Sequence, residues 1–574
     1  MRSYLLCLSA LTIAACSSAP PEPTPVLETP QGPVQGVLSP DNLDIATYNG
    51  LPFAEAPLGD LRWAPPADAP NWTEIRDASQ FGSRCMQPTD VEGGYFERLI
   101  DGHGLSAIKS FAIKRAVAAM ESPPVSEDCL HLNVRSPLDA ENAPVMVWIH
   151  GGGHQFGSSD FSYYQANGLP ERGVVLVTIN YRLGAFGYMA HPALSEDDPR
   201  GVSGNYGTLD QVAALEWVRD NIAAYGGDPN RVTIFGESAG AWSVTELMST
   251  PLAEGLFHRA ILQSGASTYH LGQLESEGVG WPSGHATGVK LTDALGLDNP
   301  TAEELRALPA DTIQAAVTEE MSEGFHHVAD GVVFPRNVGA AFALGAFNRV
   351  PILAGYNADE GTLFFPTDPQ PTVWLQDLEP GDAETLTERL SETFPNYAAQ
   401  IVDLYDLDTD FEDGGTQMMG DEIFGTNIRF VARSSLQNGA PAFTYFFSRV
   451  PPSETQTIGA FHAAEIPFVF DSHEEILGLS DDDAALTKII ADYWVSFAED
   501  GNPNGSGLPI WPIHTGDRWM EFSANTGRPT TSVGVGLRTE KLDALSEGLA
   551  LKLETLLAST YSSAQAPVES ESAP

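Results

Sequence analysis

The sequence predicts an α/β fold in which a central, mostly parallel β-sheet is flanked by helices. Residues 145–149 (VMVWI) and 174–179 (VVLVTI) are short apolar runs, and each ends in a loop of glycine or polar residues. Such runs are typical of strands that are covered on both faces. Apolar residues then recur at helical spacing, at Leu209, Val212, Leu215, Val218 and Ile222. Strands and helices that alternate in this way indicate a parallel sheet with crossover helices.

The elements that follow continue the alternation. Gly226-Gly227-Asp228-Pro229 ends the first helix, and residues 231–235 (RVTIF) form the next predicted strand. A glycine-containing turn at 236–240 then leads into a helical stretch that reaches about Met248. Further strands are predicted at 350–354 and 442–447. An amphipathic helix near the end of the chain is indicated by Leu486, Ile489, Ile490, Tyr493, Trp494 and Phe497.

Length and charge limit the possible organisation. The chain has 574 residues, 77 acidic and 29 basic side chains and a net charge of −48. The length would suit about three or four domains of ordinary size, but no linker or internal repeat divides the body. We therefore expect one elaborated domain over residues 30–563. The acidic charge excludes nucleic acid and anionic lipid as electrostatic partners, because both require basic surfaces.

The N-terminus is predicted to be a targeting segment. Arg2 precedes a short apolar run that ends in Ala14-Ala15-Cys16, which is typical of a signal peptide over residues 1–15 and is similar to a bacterial lipobox. In that interpretation Cys16 is lipidated, and the lipid is the one means of membrane attachment. An ordinary signal peptide that is cleaved slightly later is the alternative. We expect an exported protein, either a periplasmic or cell-surface lipoprotein or otherwise a secreted one.

Both ends of the predicted domain carry segments that cannot build a core. Residues 16–29 are rich in proline and small polar residues and are predicted to be an extended tether, and residues 564–574 are predicted to be a disordered tail. If Cys7 leaves with the signal peptide and Cys16 carries lipid, Cys85 and Cys129 remain. In an exported protein these two most simply form a disulfide, whereas a cytosolic enzyme would keep them reduced.

A nucleophile motif lies between a predicted strand and a predicted helix. Gly236-Glu237-Ser238-Ala239-Gly240 matches G-x-S-x-G, in which a sharp turn exposes the serine hydroxyl. The amide of Ala239, at the start of the helix, can bind a developing oxyanion. A chance turn is the alternative, but the flanking strand and helix favour Ser238 as a nucleophile.

A second candidate for oxyanion binding lies upstream. His150-Gly151-Gly152-Gly153 directly follows the strand at 145–149, where a loop of this type supplies backbone donors. Consecutive glycines can turn their N–H groups into one concavity. We expect Gly152 and Gly153 to supply these donors, and a flexible glycine turn is the alternative.

These motifs, together with others, resemble the type-B carboxylesterase family of the α/β-hydrolase fold, which includes the cholinesterases. Residues 127–134 (EDCLHLNV) match the family's second signature, and residues 49–54 and 59–63 are similar to its early segments. Gly501-Asn502-Pro503-Asn504 and Trp511-Pro512 fit its final segment. The resemblance implies an α/β-hydrolase fold with cap or lid insertions. It also implies a serine carboxylic-ester hydrolase that works through an acyl-enzyme on small-molecule esters, without a metal or organic cofactor.

The family order of serine, acid and histidine nominates the remaining catalytic residues. Residues 357–361 (NADEG) resemble the segment that carries the acid, so Glu360 is expected in that role, with Asp359 as the alternative. Residues 460–468 resemble the histidine loop and nominate His462. The other two histidines near the glycines, His150 and His154, are interpreted as loop-shaping or substrate-facing.

Departures from the family pattern bear on substrate. His154 stands where the family often has phenylalanine, and residues 86–128 lack the tryptophan with which cholinesterases bind choline.

Residues 100–120 are predicted to form either a lid or an ordinary surface helix with one buried stripe, because apolar residues recur at Leu105, Ile108, Phe111, Ala112 and Ala116. A catalytically silent binding or adhesion protein is the alternative to an enzyme. Within enzymes, lipase, amidase and carbamate hydrolase activities are not separated by the sequence.

Overall fold

A computed structural model describes residues 21–88, 97–117, 122–268, 272–277, 282–321, 324–364, 378–450, 456–473, 480–523 and 530–563. The strands in these residues are β1 (Leu27–Thr29), β2 (Gly32–Gln35), β3 (Val37–Ser39), β4 (Asn42–Pro52), β5 (Arg76–Asp77), β6 (His131–Pro137), β7 (Ala143–Ile149), β8 (Val175–Ile179), β9 (Gly227–Glu237), β10 (Arg259–Gln263), β11 (Gly272–Gln273), β12 (Val328–Ala329), β13 (Ile352–Asn357), β14 (Ala442–Phe447), β15 (Arg518–Ser523) and β16 (Thr530–Val535).

The α-helices, in chain order, are α1 (Ala107–Val117), α2 (Gly184–Tyr188), α3 (Pro192–Asp197), α4 (Tyr206–Asn221), α5 (Ala239–Ser249), α6 (Gly284–Ala294), α7 (Ala302–Arg306), α8 (Ala310–Glu320), α9 (Val338–Ala343), α10 (Ala383–Leu390), α11 (Ala398–Leu404), α12 (Phe411–Gly420), α13 (Thr426–Gln437), α14 (Ile466–Phe470), α15 (Asp481–Asp500) and α16 (Thr539–Ser563). A π-helical stretch, Asp421–Gly425, joins α12 to α13.

One large mixed sheet organises the chain. Its strand order is β16-β15-β14-β13-β10-β9-β7-β8-β6-β4-β3. Neighbouring strands from β8 to β15 run parallel, whereas the pairs at the two edges are antiparallel. The predicted α/β-hydrolase fold with a mostly parallel sheet is therefore confirmed. The sheet places β7 next to β9, and only β10 separates β9 from β13.

The central strands are covered on both faces, as their continuous apolar sequences predict. Every residue of β7, β8 and β13 is buried. Val147 and Ile149 contribute to a core on one face of the sheet, while Met146 and Trp148 contribute to a core on the other. Alternate side chains of one strand thus belong to two different cores, which leaves little freedom for the strand to shift.

The prediction of a free tether is wrong for the first residues that the structure describes. Residues 16–29 were expected to be extended and free of the domain, but Thr24 is buried and its backbone N–H donates to the carbonyl oxygen of Gly36. The strand Leu27–Thr29 also pairs with Gly32–Gln35. Extended, proline-containing chain can still pair at an edge through its N–H and C=O groups, so residues 22–29 belong to the folded domain. The predicted signal peptide, Cys16 and the tail at 564–574 lie outside the described residues.

The predicted disulfide is present, and the helix that it encloses is more exposed than expected. Cys85 and Cys129 are bonded and buried. Between them, α1 exposes 82% of Ile108 and 67% of Phe111, so the alternative of an ordinary surface helix with one buried stripe is wrong for these two positions. Among the described residues, no helix is both long and apolar enough to cross a bilayer.

Candidate active site

Ser238 occupies the turn between β9 and α5, and the geometry of this turn requires its glycines. The serine has φ 56° and ψ −124°, a conformation that costs energy for any residue other than glycine. A β-carbon on Gly240 would lie 2.0 Å from the carbonyl oxygen of Ile149, and one on Gly236 would lie 2.5 Å from the backbone of Gly240. The two glycines therefore allow the strand and helix to approach closely enough to hold the serine in its strained position.

The glycine loop after β7 lies against the same turn. A β-carbon on Gly151 would lie 3.1 Å from that of Ser238, so the loop passes directly beside the serine. Gly152 and Gly153 both have positive φ, and the carbonyl oxygen of Gly152 accepts hydrogen bonds from the amides of Gln155 and Phe156. Because Ala239 begins α5, its N–H has no acceptor within the helix. The three amides predicted to bind an oxyanion thus belong to two segments that meet at Ser238.

His462 lies in the loop before α14 and is held by Glu360. Its Nδ1 is 2.6 Å from Oε2 of Glu360, and both side chains are buried. Oε1 of Glu360 accepts a hydrogen bond of 2.6 Å from the backbone N–H of Asn357 at the end of β13. The rings of Phe364 and Phe424 contact the imidazole at centroid distances of 5.0 and 4.9 Å. The carboxylate and the two rings therefore fix the orientation of the imidazole.

Asp359, the alternative acid, points elsewhere. Its Oδ2 accepts a hydrogen bond of 2.7 Å from the backbone N–H of Ala460, which fastens the start of the histidine loop. Burial raises the pKa of Asp359, and the hydrogen bond from Ala460 opposes this shift. Since Glu360 contacts the imidazole and Asp359 contacts the backbone of its loop, the geometry favours Glu360 as the partner of His462.

A second carboxylate lies at the other side of the imidazole. Oε1 of Glu237, the residue before Ser238, is 3.1 Å from Nε2 of His462. Burial raises the pKa of Glu237 to about 8, although the imidazole opposes the shift. Burial alone would lower the pKa of His462, but the charges of Glu237 and Glu360 and the hydrogen bond to Glu360 raise it to about 9. The site is thus built to stabilise an imidazolium ion.

Further buried polar groups lie close to these carboxylates and are hydrogen-bonded to one another. Glu465 is buried, and it accepts hydrogen bonds of 2.6 Å from Nδ2 of Asn357 and 3.0 Å from Nε2 of Gln263. The carbonyl oxygen of Gln263 accepts in turn from the backbone N–H of Ser238 at 2.9 Å. Gln263 and Asn357 lie at the ends of β10 and β13, so the sheet itself connects the serine turn to the acid loop.

The two histidines beside the oxyanion glycines have different surroundings. The ring of His150 stacks on Tyr181 with a centroid distance of 4.6 Å, and its Nδ1 is 2.9 Å from the carbonyl oxygen of Gly151. Nε2 of His154 is 2.8 Å from Oγ of Ser243 on α5. Both imidazoles are buried. Their contacts are with residues of the protein, and the two interpretations from the sequence, loop-shaping and substrate-facing, stay predictions.

His154 also belongs to a cluster that the sequence analysis did not find. One ligand-type atom from each of His154, Glu246 and His327 lies within 4.8 Å of the others, and all three residues are buried. Burial lowers the pKa values of His154 and His327 to about 3 and raises that of Glu246 to about 7. The cluster joins the oxyanion loop, α5 and the segment before β12.

The structure thus brings together most of the residues that the sequence nominated, and it adds others. Ser238 and Ala239 form one segment of the site and Gly152 and Gly153 form another, while Glu360 and His462 are in contact. The sequence analysis missed Glu237 as a neighbour of the imidazole, although it occupies the variable position of the serine motif. It also missed Glu246 and His327, for which the unusual His154 was the one available signal.

Comparison with known proteins gives a consistent result. The sequence model of the carboxylesterase family matches residues 23–544. Fumonisin B1 esterase of Sphingopyxis macrogoltabida is 36% identical over 94% of this chain and 93% of its own length, and carboxylesterase 1D of Rattus norvegicus is 35% identical over 90% and 93%. Among solved structures, the carboxylesterase EST55 of Geobacillus stearothermophilus aligns with a TM-score of 0.73 at 32% identity, over 91% of this chain and 99% of that one. A PNB esterase aligns with a TM-score of 0.72 at 29% identity over the same shares.

Proposed function

This chain belongs to the carboxylesterase family and is a carboxylic-ester hydrolase, and from that premise we propose that Ser238 is its nucleophile, His462 its general base and Glu360 the acid that orients the base. The contact of 2.6 Å between Glu360 and Nδ1 of His462 carries this assignment. It leaves Nε2 of the imidazole directed away from Glu360 and towards the segment that contains Glu237 and Ser238. A neutral imidazole in this orientation can accept a proton at Nε2.

The reaction then follows from the roles of these groups. The oxygen of Ser238 attacks the ester carbonyl as its proton passes to Nε2 of His462, which forms a tetrahedral intermediate. The C–O bond to the alcohol breaks, and the alcohol leaves with the proton from His462. Water repeats the sequence on the acyl-enzyme and releases the carboxylic acid. Glu360 stabilises the imidazolium in both halves of the reaction and fixes its tautomer.

The negative charge of each tetrahedral intermediate needs donors. We propose that the amides of Gly152, Gly153 and Ala239 supply them, since the glycine loop passes beside Ser238 and the Ala239 amide lies at the N-terminus of α5. Loss of one such donor typically costs about 10²–10³ in rate. The positive end of the α5 dipole adds to this stabilisation.

The proposed substrate class is small carboxylic esters of varied acyl and alcohol groups. The relatives include mammalian carboxylesterases and a fumonisin B1 esterase, so both simple esters and fumonisin B1 belong in a substrate panel. Amides, carbamates and long-chain acylglycerols in the same panel separate an esterase from an amidase, a carbamate hydrolase or a lipase. The presence of Ser238, Glu360 and His462 disfavours a catalytically silent binding protein.

The test is hydrolysis by the purified mature protein and a Ser238→Ala variant. We expect the wild type to release p-nitrophenol from short-chain esters and the variant to lose this activity by about 10⁴-fold or more. Ser264→Ala is a matched control, because Ser264 is also a buried serine with positive φ that follows a strand. Activity that survives in Ser238→Ala would contradict the assignment, and an inactive wild type would revive the binding-protein alternative.

We also propose that the protein is exported and held at a membrane by lipid on Cys16. The proposal rests on the sequence before residue 17, in which a basic residue, a short apolar run and Ala14-Ala15-Cys16 follow one another. Expression of the full chain in a bacterium, with Cys16→Ser as the variant, tests it. We expect esterase activity in the membrane fraction for the wild type and in the soluble fraction for the variant. The same division of esterase activity between membrane and soluble fractions in the wild type and in Cys16→Ser would contradict lipidation.

A further inference from the structure

We propose that His154, Glu246 and His327 form a binding site for one divalent metal ion of the Zn²⁺ type. Two imidazoles and one carboxylate are a ligand set that zinc accepts, with a fourth position left for water. The three side chains come from separate parts of the chain, yet one ligand atom from each lies within 4.8 Å of the other two. This site is distinct from the triad, whose chemistry requires no metal.

Most of the polar atoms of the cluster are buried without a directed hydrogen bond. His154 and Glu246 have no exposed surface, and His327 exposes 2%. Nδ1 of His154, both carboxylate oxygens of Glu246 and both ring nitrogens of His327 lack a well-directed hydrogen-bond partner among the described residues, although the hydroxyl of Ser267 is near enough to Glu246 to lower its pKa. Buried polar atoms in native proteins are almost always satisfied, so five such atoms in one cluster require an explanation.

The closest contact in the cluster joins the carboxylate to one imidazole. Nε2 of His327 lies 2.5 Å from Oε2 of Glu246, but the pair does not have the directions of a hydrogen bond. Both atoms therefore keep lone pairs that a cation could accept. Two ligand atoms on one tetrahedral Zn²⁺ stand roughly 3.3 Å apart, so these two side chains would have to separate slightly when the ion binds.

His154 has a hydrogen-bond partner outside the cluster. Its Nε2 is 2.8 Å from Oγ of Ser243, and the same hydroxyl oxygen accepts a hydrogen bond of 2.8 Å from Nε2 of Gln211. If the Nε2–H of His154 donates to Ser243, the lone pair at Nδ1 is free for a metal. Metal-binding histidines commonly donate their other N–H to an outer partner in this way, which fixes the tautomer and the ring.

The position of the site suggests what the ion would do. His154 follows Gly153 of the oxyanion loop, Glu246 lies on the helix that begins at Ala239, and His327 precedes β12. One ion bound to all three would fasten the two segments that carry the proposed oxyanion donors. We therefore assign it a structural role, in which it holds these donors in place without contact to the substrate.

The test uses the purified mature protein, which is dialysed against a chelator and then against chelator-free buffer. Equilibrium dialysis with ZnCl₂ and measurement of bound metal by mass spectrometry give the stoichiometry. We expect one tightly bound equivalent for the wild type and its loss in Glu246→Gln and His327→Gln. Ser243→Ala should weaken binding by about 10–100-fold, because it removes only the outer partner. His285→Gln is the matched control, since it removes a half-buried histidine outside the cluster and should keep the equivalent.

A second readout does not depend on variants. Addition of Co²⁺ to the metal-free wild type should give the visible ligand-field spectrum of a low-coordinate nitrogen and oxygen site, and Zn²⁺ should abolish it. A wild type that binds no tight equivalent and gives no such spectrum would overturn the proposal. So would an equivalent that persists in both Glu246→Gln and His327→Gln. Labelling of Ser238 by an organophosphate, measured on the same samples, reports separately on the catalytic assignment.

Discussion

One buried cluster of histidine and glutamate includes Glu237, just before the nucleophile, and another includes Glu246 on helix α5, and the two clusters differ in the ratio of the two residue types. Around His462 there is one imidazole with Glu237, Glu360 and Glu465 nearby, and its pKa is raised to about 9. In the other cluster two imidazoles share Glu246, and the pKa values of His154 and His327 fall to about 3. All of these groups are buried, so burial alone does not explain the difference.

The comparison shows that counter-charge and directed hydrogen bonds decide what a buried histidine can do. Burial disfavours the imidazolium at both places, but at His462 two adjacent carboxylates outweigh this cost. Glu360 also makes a directed hydrogen bond there, whereas Glu246 contacts His327 without one. The first cluster is therefore suited to moving a proton and the second to sharing lone pairs with a cation.

The largest expected effect comes from neutralising the acid of the catalytic cluster. Glu360→Gln should lower kcat by about 10⁴-fold, because the amide can no longer fix the tautomer of His462 or stabilise its charged form. Asp359→Asn is the matched control, since its carboxylate accepts a hydrogen bond from the backbone of Ala460 while Glu360 is the acid that contacts the imidazole, and it should retain most of the activity. Steady-state hydrolysis of a p-nitrophenyl ester measures both. A larger loss in Asp359→Asn than in Glu360→Gln would reverse the assignment of the acid.

A smaller effect is expected in the glycine loop that connects the two clusters. A β-carbon on Gly152 would lie 2.1 Å from the carbonyl oxygen of Phe156, whereas one on Gly153 meets nothing within 4 Å. Gly152→Ala should therefore displace the loop and lower kcat by about 10²–10³-fold, as the loss of an oxyanion donor does. Gly153→Ala introduces the strain of a positive φ but no clash, so its kcat should fall clearly less than that of Gly152→Ala. Equal losses in the two variants would show that the clash does not control the donors.

The electrostatic difference between the clusters is tested by two glutamine variants and a pH profile. The carboxylate of Glu237 stabilises the imidazolium of His462, so the neutral base is populated only at higher pH. Glu237→Gln removes this charge, lowers the pKa of His462 and should move the acidic limb of kcat/KM to lower pH by about 1–3 units. Glu246→Gln should leave the midpoint of this acidic limb at the same pH as in the wild type. A midpoint that moves with Glu246 but not with Glu237 would contradict the assignment of the charges.

The smallest effect is expected outside both clusters, at the exposed helix α1. Ile108 and Phe111 are largely exposed there. The chain before the helix contacts the segment that precedes the histidine loop, because the backbone N–H of Thr457 donates to the carbonyl oxygen of Gly102. If these side chains form part of a lid, the double variant Ile108→Ser/Phe111→Ser should weaken hydrolysis of long-chain esters and leave short-chain esters nearly unchanged. Unaltered chain-length preference across a series of p-nitrophenyl esters would exclude the lid. The pH profile should match that of the wild type in either case.

Much of the site could be predicted because its residues lie in short motifs at the ends of strands. The serine turn at 236–240 and the glycines at 151–153 follow buried strands, and the sheet brings those strand ends together. Glu360 and His462 were identified by resemblance, and the contact between them confirms that they are neighbours. Motifs of this kind carry their local geometry with them, because their glycines are required by close backbone contacts.

The metal-type cluster, the exposure of α1 and the pairing of residues 22–29 depend on contacts between segments that are distant in the sequence. Such contacts could not be predicted from local sequence patterns. Glu246 and His327 are isolated residues with no ligand-like spacing to His154, so only the fold reveals the cluster. The periodicity of α1 indicates an apolar face but not whether anything covers it. The composition of residues 22–29 indicates extended chain, yet it does not show that Thr24 bonds to Gly36.

The most direct test of the central claim is to identify the residue that reacts with an organophosphate inhibitor. The mature protein is inactivated with a stoichiometric amount of the reagent, digested and analysed by peptide mass spectrometry. We predict one adduct, on Ser238, in proportion to the activity lost, and a much slower reaction in Glu360→Gln and none in Ser238→Ala. Complete inactivation with the adduct on another residue would contradict the account, and so would full activity after quantitative labelling of Ser238.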